Sequence, residues 1–152
     1  METRAVKVIP ALSDIKRLFL DTSPVIYHVE GVAAYQPLTD LIFQHIRDGA
    51  VEAVTSTITL TECLVHPYRR NDMRLVQLFR SVITAGVHTR YASVDSVAEP
   101  AAELRARYNL GLADAFQVAV ALAAGCEGFL TNDAALKRVS EVTVLVLNDL
   151  EI

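Results

Sequence analysis

Four carboxylates stand in surroundings that are otherwise apolar or structurally punctuated. Asp21 closes the run RLFL and precedes Thr22-Ser23-Pro24, Glu62 interrupts TLTECLV, Asp114 opens the alanine-rich stretch LADAFQVAVALAAG, and Asp133 ends FLTND. Carboxylates crowded into one cleft repel and raise each other's pKa, so such a set persists where a cation neutralises it. The hard cations Mg²⁺ and Mn²⁺ suit an all-oxygen set, and Mg²⁺ is commonly held by a few carboxylates plus water. Bound cations of this kind polarise a phosphoryl oxygen, make water acidic and stabilise a leaving oxyanion. Thr22 and Thr131 set neutral hydroxyls beside two of the acids, where they could orient the carboxylates or simply be strand-end threonines.

Each acid also has an ordinary structural use. Asp21 suits an Asx turn or a helix cap. Glu62 suits the exposed side of an amphipathic helix. Asp114 suits a first helical turn, where the dipole favours an anion. Asp133 suits the N-cap of a helix starting at Ala134. The chemical reading rests on their joint arrangement.

The elements that must position these residues alternate along the chain. Residues 17–21 (RLFLD), 51–55, 87–91, 128–132 (GFLTN) and 142–147 (VTVLVL) read as strands. Helices are expected over 24–29, 35–48, 58–65, 71–85, 94–108 and 112–124. Gly49, Gly86 and Gly125 act as stops, Asn71 as an N-cap, and Pro67 ends the helix before it. Such alternation argues for an α/β layer with a parallel sheet. The runs VTVLVL and RLFL are continuously apolar, as strands covered on both faces should be. Ligands of such sheets bind at the carboxyl ends of strands, where Asp21 and Asp133 fall.

The 152 residues suit one domain spanning 1–152, and a hydrophobic fraction of 52% suits a globular chain. A net charge of -4 excludes attachment to nucleic acid by bulk charge, so any such contact needs a cation or a local basic patch, for which Arg69-Arg70 is best placed. Cys63 and Cys126 make no disulfide framework and read as buried thiols. No signal peptide is legible, and the longest apolar run, residues 115–126, is too short to span a bilayer. A cytoplasmic protein without a membrane partner is expected. No phosphate-binding glycine loop is present, and His28, His45, His66 and His88 show no zinc spacing.

The phrases LDTSPVIY, STITLTECL, LRARYNLGLADAFQVAVALAAGCEGFLTND and VTVLVLNDL together resemble the PIN-domain family over residues 18–150. In overall shape the chain looks most like the toxin ribonucleases of bacterial and archaeal toxin–antitoxin pairs. The resemblance implies a three-layer α/β/α sandwich with a mostly parallel sheet. It implies an endoribonuclease dependent on Mg²⁺ or Mn²⁺, with the four acidic positions of the family falling on Asp21, Glu62, Asp114 and Asp133. It further implies a homodimer and a small antitoxin partner. The apolar helix 35–48 and the segment 75–87 are the contact faces the sequence offers, although such stripes more often face a core. One departure is visible. Residues 1–16 precede the first strand of the resemblance and read as an extra strand (AVKVI alternates), an arm or disorder.

A phosphatase of the haloacid-dehalogenase type would need a second Asp at position 23, which is Ser23. A response-regulator receiver would need paired early acids that have no match. A non-catalytic PIN-like module that binds RNA or protein is the alternative of a different class, and an intact acidic quartet argues against it.

Overall fold

The computed structural model describes residues 5–152; residues 1–4 of the expected N-terminal arm lie outside the described residues. The chain runs β1 (Val6–Lys7), α1 (Val8–Leu12), β2 (Arg17–Leu20), α2 (Thr22–Glu30), α3 (Gln36–Arg47), β3 (Glu52–Ser56), α4 (Thr57–Arg69), α5 (Met73–Ala85), β4 (Thr89–Ala92), α6 (Ala98–Tyr108), α7 (Leu112–Ala123), β5 (Gly128–Thr131), β6 (Thr143–Val146) and β7 (Leu150–Glu151). Short 3-10 turns fill Ala134–Arg138 and Leu147–Asp149.

Five strands form one sheet in the order β4-β3-β2-β5-β6, and every pairing in it is parallel. The period-two alternation of each strand sorts its side chains between two cores. Leu18, Leu20, Ala53 and Leu130 face a core shared with α2, α3, α4 and α5. Phe19, Val54 and Phe129 face a second core shared with α6 and α7. Helices thus cover both faces, which gives the α/β/α architecture and accounts for the continuously apolar strands. From β2 the chain moves outward to β3 and β4, then returns to place β5 and β6 on the other side of β2. The order reverses between β2 and β5, so the carboxyl ends of those two strands flank the crevice where such sheets bind ligands.

Several boundaries differ from those the sequence suggests. α4 continues through Pro67 to Arg69 rather than stopping before the proline. Thr59, Cys63 and Pro67 are the buried residues of this helix. At intervals of four they form one stripe, so burial of the ring offsets the backbone hydrogen bond it forfeits. The cap of α5 is Asp72, whose carboxylate accepts from the Leu75 N–H at 3.1 Å, whereas Asn71 takes the left-handed conformation (φ 52°) just before it. Only Val6–Lys7 of AVKVI is strand; it pairs in parallel with β7, and Lys7 Nζ donates to the Ile152 carbonyl at 2.8 Å. Val8 then opens a helix that sends Val8 and Leu12 into the core. Among the described residues, no helix is long and apolar enough to cross a membrane.

Candidate active site

Asp21 follows the last residue of β2 and has extended backbone geometry (φ -71°, ψ 171°) at the mouth of α2, yet its side chain makes no capping bond. The carboxylate turns inward and is only 8% exposed. Oδ2 accepts from Thr131 Oγ1 at 2.8 Å, and Oδ1 accepts from Gln117 Nε2 at 3.3 Å. Its own N–H donates to the Leu130 carbonyl at 2.9 Å, extending the β2–β5 ladder. Burial pushes the Asp21 carboxyl up from its ordinary value, opposed by the hydrogen bonds from Thr131, the Thr22 backbone and Gln117.

The other three acids are arranged around this point by different elements. Glu62 lies on α4 directly before Cys63 of the buried stripe; it is exposed, and Oε1 accepts from Thr22 Oγ1 at 2.6 Å. Asp114 sits half-buried in the first turn of α7, whose mouth is Gly111. Asp133 follows β5 and is exposed. It does act as a cap: Oδ1 accepts from the Ala135 N–H at 3.0 Å, while its own N–H donates to Thr131 Oγ1 at 3.1 Å. Thr131 therefore touches both strand-end acids.

The charges are coupled. Burial first, then the negative charges of Asp21, Asp133 and Glu62, pushes Asp114 up to about 6, against an opposing pull from Arg138. All four acids thus converge on one region at the carboxyl edge of the sheet. Among the described residues, no three Asp, Glu, His or Cys side chains stand close enough to form a ready-made ion cage. A loose all-oxygen cluster with mutual repulsion still suits a hard cation that keeps much of its water.

This coupling makes a stability prediction. An acid whose folded pKa exceeds its ordinary value of 3.8 and lies at about 6 keeps its proton in the fold while the unfolded chain loses it. Ionisation therefore lowers stability as pH rises through that interval, and above it the full penalty applies. In EDTA, Asp114→Asn should melt at a higher temperature than the parent at roughly pH 7.5, and the gap should close as pH falls below about 4. Thermal melts across pH check this; a gap independent of pH would rule it out.

Sequence reasoning missed Gln117, which is 1% exposed and is hydrogen-bonded to Asp21, to Thr59 Oγ1 at 2.8 Å and to Ser56 Oγ. The signal was available: it is the one polar side chain in FQVAVALA, one helical turn after Asp114. The basic pair Arg69-Arg70 lies at the end of α4, and Arg70 is engaged by Glu30 at 3.3 Å. A cleft of about 580 Å³ lies away from the acids at the amino ends of β2, β3 and β4, among Lys16, Glu52, His88 and Arg90. Its position gives it no part in the carboxylate arrangement.

Comparison with known proteins agrees with this fold. The sequence profile described as PIN domain matches residues 18–142. No curated protein matches the sequence. Among solved structures, a VapBC complex from Rickettsia felis bound to a promoter DNA fragment is 15% identical, with a TM-score of 0.63, over 86% of this chain and 98% of that one. A toxin–antitoxin complex from Klebsiella pneumoniae is 19% identical, with a TM-score of 0.63, over 86% and 97%. A sarcin–ricin-loop-cleaving VapC toxin from Mycobacterium tuberculosis is 20% identical, with a TM-score of 0.61, over 74% and 86%. At these identities the likeness is one of fold.

Proposed function

We propose, from the premise that this chain belongs to the PIN-domain family, that it is a cytoplasmic endoribonuclease dependent on Mg²⁺ or Mn²⁺ and the toxin of a toxin–antitoxin pair. The observation that carries the reading is the placement of the acids at the carboxyl edge of the sheet, where Thr131 joins Asp21 to Asp133, Thr22 joins Glu62 to the residue after Asp21, and Asp114 opens the helix whose Gln117 reaches Asp21. The likeness in fold to a sarcin–ricin-loop-cleaving toxin supports RNA as the substrate, and the likeness to toxin–antitoxin complexes supports a small antitoxin as partner.

In this reading Asp21, Asp114 and Asp133 hold the cation. When bound, it would supply Lewis-acid polarisation of the phosphoryl group and increase the acidity of the attacking water. Thr131 holds Asp21 and the Asp133 backbone together, so the two strand-end acids present as one unit. Glu62 is oriented through Oε1 by Thr22. Its other oxygen is left to orient water or to join the ligands. Charge on the acids rejects a bare phosphate backbone, which makes RNA binding depend on the cation. Hydrolysis by water spares the 2′-hydroxyl and leaves 5′-phosphate and 3′-hydroxyl ends.

Incubating single-stranded or looped RNA with the protein and Mn²⁺ or Mg²⁺, with and without EDTA, tests this, the ends being read by phosphatase and ligase sensitivity. Cleavage surviving EDTA, or 2′,3′-cyclic phosphate products, would refute it. A homodimer is part of the proposal. The apolar stripes of α3 and α5 turn into the core through Ile42, Phe43 and Ile46 and through Val76, Phe79 and Ile83. Apolar side chains left exposed nearby include Val65 and Tyr68 of α4, Met73 and Leu78 of α5, and Val87 just after α5. Light scattering that shows a strict monomer at high concentration would remove the dimer.

A further inference from the structure

Gln117 has no role in the chemistry described above, yet its surroundings leave its amide no freedom. Ser56 Oγ accepts the N–H groups of Ile58 at 3.1 Å and Thr59 at 3.3 Å as the cap of α4, so its single proton goes to Gln117 Oε1. That bond fixes which end of the amide is oxygen. The nitrogen end therefore faces Thr59 Oγ1 at 2.8 Å and Asp21 Oδ1 at 3.3 Å, and both can accept. Thr59 in turn sends its proton to the carbonyl of Leu20, the residue before Asp21, at 3.3 Å. Ser56, Thr59 and Gln117 are all buried. Every proton in this chain of bonds has one direction, and its only charged terminus is Asp21.

We propose that Gln117 is a positioning residue of the carboxylate cleft: its amide sets the orientation of Asp21 and ties the end of β2 to α4, the helix that carries Glu62. The inference rests on the reading of Asp21 as a cation ligand. Thr131 and Gln117, both buried, each occupy one oxygen of Asp21. The remaining lone pairs point along directions fixed by these two donors. Loss of an outer partner of this kind typically weakens a metal site by about 10–100-fold. Gln117 lies one turn after Asp114 on α7, so one helix supplies a carboxylate to the cleft and the amide that aims another.

The test is calorimetric titration of Mn²⁺ into the intact apo-protein, with thermal melts alongside. Gln117→Met keeps length and bulk but donates nothing. Thr55→Val is the control, since it removes a buried hydrogen bond to the Ile83 carbonyl (2.7 Å) away from the cleft. Gln117→Met should bind Mn²⁺ about 10-fold more weakly than the parent, whereas Thr55→Val should match the parent even if it melts earlier. Ser56→Ala, which leaves Gln117 in place but releases its amide, should show a smaller loss in the same direction, and it decides the matter if Gln117→Met does not fold. Equal Mn²⁺ affinity in the parent and the Gln117 or Ser56 variant overturns the inference alone. A parent that binds no Mn²⁺ overturns the metal-site reading and this inference with it.

Discussion

Asp21→Asn is expected to lower RNA cleavage by about 100-fold or more, the scale on which loss of one preorganised electrostatic group acts, while the fold survives. The side chains are nearly isosteric, and the buried position accepts the amide in one orientation. Its oxygen can face the Gln117 amide, which only donates there, and its nitrogen can face Thr131 Oγ1, a hydroxyl able to accept. Removal of a buried carboxylate whose pKa is raised by burial also relieves a cost to the folded state at neutral pH. The variant should therefore melt no earlier than the parent in EDTA and fail to gain stability from Mn²⁺ that the parent gains by binding it. Cleavage rates at saturating Mn²⁺, with melts on the same samples, decide this. A variant as active as the parent would sink the proposed mechanism.

Phe129→Ala should destabilise the protein by about 3–5 kcal/mol, as truncation of a buried aromatic does. Phe129 lies at the middle of β5, fully buried, with Val144 on one flank and Phe19 on the other in the sheet register. Its ring stacks on Phe19 with centroids 5.0 Å apart and planes 15° apart. The loss therefore includes transfer, cavity and ring-pair contributions. For a domain of this size the melting temperature should fall by roughly 6–20 °C. The denaturant midpoint should drop with little change in slope. A change below about 1 kcal/mol would mean that the core around β5 closes over the gap far more readily than its packing indicates. Cleavage by the fraction that remains folded should be near normal, because the ring lies beneath the strand end and not in the cleft.

The two classes of result read differently from sequence. Strand runs such as RLFL and GFLT were legible because full burial on both faces leaves a continuous apolar signature. The acids at their ends followed from chain direction alone. Boundaries set by local competition were less legible. Asn71 and Asp72 are both good caps, and only the left-handed turn at Asn71 decides in favour of its neighbour. Pro67 looks like a helix stop, yet its place on the buried stripe keeps it helical. Gln117 looked like an interruption of an apolar run, because its partners Asp21, Thr59 and Ser56 are 96, 58 and 61 residues away. The pairing of β1 with β7 was hidden for the same reason: two-residue strands carry almost no pattern, and the partner lies at the other end of the chain.

The reversal of strand order has a consequence for how the protein is made. The bond from Thr131 to Asp21 closes across 110 residues. During synthesis the chain emerges from its amino end, so β2, β3 and β4 can meet over comparatively short separations while β5 is still unmade. Until then Asp21 lacks Thr131, and Asp133 does not exist. A nascent chain thus carries half a cleft until β5 and the residues after it have been made. In the proposed reading, the order of assembly withholds RNA cleavage until β5 has joined β2.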